Sequence, residues 1–161
     1  MTRDILVAIH AGAGIVGLVV GLTVFAPPST NNSRRWWRIA YGGLLVVLLV
    51  SLLALIVWDW QGLQTVPRLV FSGLAVLGGV MVTRMYLAHQ LAGGSEPGWE
   101  LRYVQHVYFT YVSLWVGFAI VPALRSPNPG LWIPVAVVGV LAAGTLLINR
   151  YERRIGLRAA H

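Results

Sequence analysis

The chain has no cysteine and no lysine, and only 11% of its 161 residues are charged. Without cysteine it can form neither disulfides nor thiolate metal sites. None of the five carboxylates lies in the interior of an apolar segment, which argues against a proton-coupled pump or antiporter that uses a buried acid. The sequence also contains no glycine-rich phosphate loop, HExxH motif or paired catalytic carboxylates, so we do not expect an ordinary hydrolase.

Apolar residues make up 57% of the chain, and its mean hydropathy is +0.73. These values are typical of an integral membrane protein. Arginine supplies every basic side chain and gives a net charge of +7. In a membrane protein such a balance reflects topology and anionic lipid headgroups, so we expect the bilayer to be a partner and nucleic acid not to be one.

Five apolar segments are long enough to cross a bilayer, since a span needs about twenty residues at 1.5 Å per residue. They cover residues 5–26, 39–57, 66–91, 101–123 and 131–148. We predict an all-α, polytopic bundle of five transmembrane helices, forming a single transmembrane domain over residues 1–161. The stretch PSTNNSRRWWR before the second span is predicted to be a loop.

The arginines predict the orientation. If the first loop is inside, nine arginines lie on the cytoplasmic side, and only Arg3, Arg68 and Arg125 lie outside. The positive-inside rule then places the N-terminus outside and the C-terminus in the cytoplasm of a bacterial plasma membrane.

The third and fourth spans carry the residues best suited to chemistry. His89 and His106 are expected within about one helical turn of each other in depth, as a bis-histidine haem b between antiparallel helices requires. Arg84, Arg102 or Tyr103 could then neutralise or hydrogen-bond the haem propionates. On the fourth span, Arg102, Tyr103, His106, Thr110, Ser113 and Gly117 share one sector. Polar side chains in such a stripe face a cavity or a packed interior.

Two alternatives to haem stay open for this hairpin. Met81, Met85 and His89 recur every four residues, and thioethers with a histidine suit copper(I). In the other alternative no cofactor is bound, the methionines fill space and His89 extends to the membrane interface.

His10 lies on one helical face with Gly14, Gly17 and Gly21, where glycines allow a close approach of another backbone or a flat cofactor. Under the predicted topology it is near the opposite surface from His89 and His106, so it could serve only a second metal site. Ordinary helix packing, with His10 hydrogen-bonded, is the alternative.

The segments ILVAIHAGAGIVGLVVG and RYVQHVYFTYVSLW each carry a histidine early in a span. In this the chain resembles an uncharacterised bacterial family of small multipass membrane proteins. More loosely, its paired helix histidines resemble those of membrane b-type cytochromes and copper-resistance D-type proteins. The family resemblance implies a small membrane protein and no particular activity.

Three functions follow as hypotheses, and they leave open whether the protein is an enzyme. The first is a small electron-transport protein that binds haem b. The second is a non-enzymatic accessory or assembly subunit, whose partner is another membrane protein or a second copy of the chain. The third is a copper-handling or small-solute transport protein.

Overall fold

The computed structural model describes residues 2–25, 33–92, 94 and 98–159, without the side chains of residues 33, 34 and 152–159. It contains five α-helices in this part of the chain. They are α1 (Thr2–Val24), α2 (Ser33–Asp59), α3 (Thr65–Leu91), α4 (Trp99–Leu124) and α5 (Pro129–Ala159). All five are long and apolar enough to cross a membrane, which confirms the predicted all-α, five-helix architecture.

Several helix boundaries differ from the predicted ones, although all five helices were predicted. The SRRWWR segment is not a loop, because α2 begins at Ser33. At the other end of the chain α5 continues past residue 148 to Ala159. Arginine is a good helix former, so the hydrogen-bond ladder continues after the apolar run has ended. The predicted end of the first span at Ala26 lies outside the described residues.

The chain divides into two compact units, Met1–Thr110 and Tyr111–His161. In the first unit α2 packs against α1 and α3. The glycine face of α1 lies in this interior, since Gly14, Gly17 and Gly21 are buried. The second unit comprises the later part of α4, a turn and α5, which begins where the Asn128 carbonyl accepts the N–H groups of Leu131 and Trp132. The predicted single domain stays a prediction.

Contacts at both ends of the first unit show that its helices alternate in direction. At the end called the Asp59 end, Arg3 Nε donates to Asp59 Oδ2 over 2.8 Å and links the start of α1 to the end of α2. At the opposite end, called the Tyr103 end, the Tyr103 hydroxyl donates to the Val24 carbonyl over 2.9 Å and links the start of α4 to the end of α1.

Two glycines have a conformational or steric reason to be there. Gly98, which precedes α4, has φ +76°, a backbone region that L side chains rarely adopt, and its carbonyl accepts the Arg102 N–H in the first turn. On α3, a Cβ added at Gly78 would lie 3.0 Å from Leu49 Cδ1 of α2, whereas a Cβ at Gly79 would meet nothing within 4 Å. At Gly78 the side chain of Leu49 therefore packs directly against the backbone of α3.

We expect Gly78→Val to destabilise the protein by about 1–3 kcal/mol, because the added methyl groups would be forced against Leu49. Gly79→Val is the matched control, since the neighbouring position has open space. Thermal unfolding in detergent micelles measures both variants. Equal unfolding temperatures would show that α2 and α3 do not approach closely at Gly78.

Candidate functional site

Arg84 of α3 and His106 of α4 form the contact that links the two helices expected to carry chemistry. The Arg84 guanidinium N–H donates to His106 Nδ1 over 3.4 Å, which is long for a hydrogen bond. The guanidinium carbon also lies 5.1 Å from the centre of the Phe109 ring, at cation–π distance. Because Nδ1 accepts this bond, it carries no proton, and the ring proton resides on Nε2.

His89 lies elsewhere on α3. It is five residues after Arg84, which corresponds to a rotation of about 140° around the helix, and its side chain is exposed. The partner that the described structure gives His106 on α3 is therefore Arg84. The predicted facing pair of His89 and His106 as ligands of one haem stays a prediction.

The two methionines of α3 are core residues. Met81 and Met85 are each only 3% exposed. Met85 Cγ lies 3.6 Å from the position of a Cβ at Gly42, so this thioether side chain packs toward α2. Methionine commonly fills irregular gaps of this kind. These contacts fit the space-filling role better than the copper role.

Two hydroxyls of the α4 stripe bind other helices. Tyr103 is 1% exposed, and its hydroxyl donates to the Val24 carbonyl of α1. The fully buried Thr110 hydroxyl lies 3.0 Å from the hydroxyl of Tyr41 on α2 and donates to the Val107 carbonyl. Arg102 is exposed. The Tyr103 hydroxyl, expected to bind a propionate, thus instead satisfies a carbonyl at the C-terminal end of α1, which has no partner within its own helix.

His10 forms a separate polar contact between α1 and α2. Its Nδ1 lies 3.0 Å from the Leu48 carbonyl and 3.2 Å from Ser51 Oγ, and Ser51 Oγ donates to the same carbonyl. A carbonyl can only accept, so Nδ1 carries the proton here. His10 lies eight residues from the start of α1, in the half of that helix nearer the Asp59 end, so it is separate from the Arg84–His106 contact.

Tyr41 was not among the predicted site residues, yet it is fully buried and joins α2 to α4. A hydroxyl-bearing side chain within a long apolar helix was the available signal, because such a group needs a partner in hydrocarbon. Within the described residues no group of three or more histidine, cysteine, aspartate or glutamate side chains could hold a metal ion.

Comparison with known proteins found no matching family model, no matching curated protein and no matching solved structure. The predicted resemblances therefore stay predictions.

We expect Tyr103→Phe to destabilise the protein by about 1–2 kcal/mol, because the Val24 carbonyl would lose its donor in a buried position. Tyr86→Phe removes the same atom from a side chain that is 61% exposed, and it should change stability little. The two variants are compared by thermal unfolding in micelles. Equal losses of stability in the two variants would contradict the conclusion that the Tyr103 hydroxyl holds α4 against α1.

Proposed function

We propose that the protein is a non-enzymatic accessory or assembly subunit of a larger membrane complex. The observation behind this proposal is that the polar stripe of α4 bonds to neighbouring helices. Tyr103 bonds to α1, and Thr110 bonds to α2. This stripe was the best signal for a ligand in the sequence. Hydroxyls that hold helices together support a scaffold role, since they leave fewer groups free to act on a substrate.

The contacts of the other candidate residues support the same role. His10 bonds to α2 through Leu48 and Ser51, and Met85 packs beside Gly42. The buried glycines of α1 also belong to the interior of the first unit, so this face packs within the chain. Any partner would have to contact other faces of the bundle.

Haem b between α3 and α4 is the second candidate, and the proximity of Arg84 to His106 favours it in part, because Arg84 was expected to bind a propionate. The hydrogen bond itself opposes this function. A ligating histidine usually donates from the ring nitrogen that does not bind the metal. His106 Nδ1 instead accepts from a cation, and its Nε2 is protonated, so haem binding would require Arg84 to move away and the histidine tautomer to change.

We expect the protein, extracted from native membranes with a mild detergent, to migrate on a native gel as part of an assembly larger than one chain. The purified chain should be colourless, because the proposed role requires no cofactor. Mass spectrometry of the excised band would distinguish a different membrane protein from a second copy.

A Soret band that shifts on dithionite reduction and disappears in His106→Ala would overturn this proposal in favour of haem. His89→Ala serves as the companion variant, since loss of the band in both variants would identify the two axial ligands. Migration as a single chain would also contradict the accessory role.

We also propose a bacterial plasma membrane location with the N-terminus outside and the C-terminus in the cytoplasm. The order of the five spans along the sequence gives nine arginines on the predicted cytoplasmic side and three on the other, which supports this orientation. A reporter enzyme that works only outside the cytoplasm should be inactive when fused after His161. An active C-terminal fusion would reverse the orientation.

A further inference from the structure

Arg84 is a cation within a membrane-spanning helix, and the described residues give it no acidic partner. It contacts the imidazole of His106 and the ring of Phe109, which are both neutral in this arrangement. Asp59 is paired with Arg3 at the opposite end, and Glu100 is exposed in the first turn of α4. Hydrocarbon offers a charge no partner, so an arginine within a span must bind a group in the protein or extend to the headgroups.

The depth of Arg84 brings it within reach of lipid headgroups. α3 has 27 residues, or about 40 Å, whereas the hydrocarbon core is about 30 Å thick. If the excess is shared between both ends, about 5 Å of α3 extends beyond the core at the Leu91 end. Arg84 lies seven residues before Leu91, so its Cα is about 5 Å inside the boundary. The exposed side chain is long enough to reach a phosphate there.

The positive charge and the N–H donors of Arg84 favour an anionic ligand. His106 Nδ1 accepts one N–H of the Arg84 guanidinium, and the guanidinium retains further N–H groups that His106 does not use. A positively charged group that only donates is complementary to a phosphate oxygen and repels metal cations.

We propose that Arg84, held in place by His106, binds the phosphate of an anionic phospholipid at the Tyr103 end of the bundle. The surroundings favour a lipid over free phosphate, because the guanidinium lies against Phe109 on an apolar helix pair, and Val80 and Leu87 on the same face of α3 are exposed. A lipid brings acyl chains to cover such surfaces, whereas inorganic phosphate would have to leave water. The site does not depend on the accessory role, and it would exist equally in a protein that acts alone.

Native mass spectrometry of the purified full chain tests the site, with phosphatidylglycerol as the probe and phosphatidylcholine as the zwitterionic comparison. We expect wild type to retain phosphatidylglycerol preferentially and Arg84→Gln to bind it about tenfold more weakly, because a charge-assisted bond is lost. Arg35→Gln is the matched control. It removes the same charge from an exposed position at the same end, in the first turn of α2, and should leave binding unchanged.

Equal weakening by Arg84→Gln and Arg35→Gln would show diffuse attraction to the basic surface and overturn the site. No change in either variant, or equal retention of phosphatidylcholine by wild type, would overturn it as well. Displacement of the lipid by excess inorganic phosphate would assign the site to the free ion and not to a lipid. Should the glutamine variant not fold, Arg84→Lys keeps the charge without the planar fork and should weaken binding severalfold. Wild-type binding by that variant would also count against the proposal.

Discussion

Hydrocarbon offers no hydrogen-bond partner to a polar group, so each polar side chain of these helices must find one in the protein or at the headgroups. The fold meets this requirement by joining hydroxyls and ring nitrogens to neighbouring helices: Tyr103 to Val24, Tyr41 to Thr110, and His10 to Leu48. These bonds fix which helices meet. They also determine which polar groups remain able to bind anything else.

The Arg84–His106 contact stands apart from this bracing. The two side chains lie 3.4 Å apart, which is long for a hydrogen bond. The arginine is exposed, and no carboxylate lies beside its charge in the described structure. A neutral pair such as Tyr41 and Thr110 needs no further partner, whereas a cation near the membrane boundary does. The accessory role and the lipid site are thus compatible, because the hydroxyl bonds between helices position the helices around the arginine.

Close packing in the first unit depends on small residues as well as on hydrogen bonds. The buried glycines of α1 and Gly78 of α3 reduce the bulk between backbones, where van der Waals contact is the main attraction available to helices in lipid. His10 shares the glycine face of α1 and bonds to α2, so the closely packed face and the polar contact coincide. The histidine beside the spaced glycines therefore contributes to the packing of α1 against α2.

The sequence by itself determined that the protein is an all-α membrane bundle and where its five apolar helices lie, because span length and hydropathy are properties of consecutive residues. It also indicated that polar side chains of α3 and α4 would matter. Only the tertiary structure decided the partners. His89 and Arg84 are five residues apart on one helix, and the rotation of α3 brings Arg84 to His106 and leaves His89 exposed. In the same rotation Gly78 and Met85 pack against α2, through contacts between residues that are distant in the chain and cannot be deduced from local sequence.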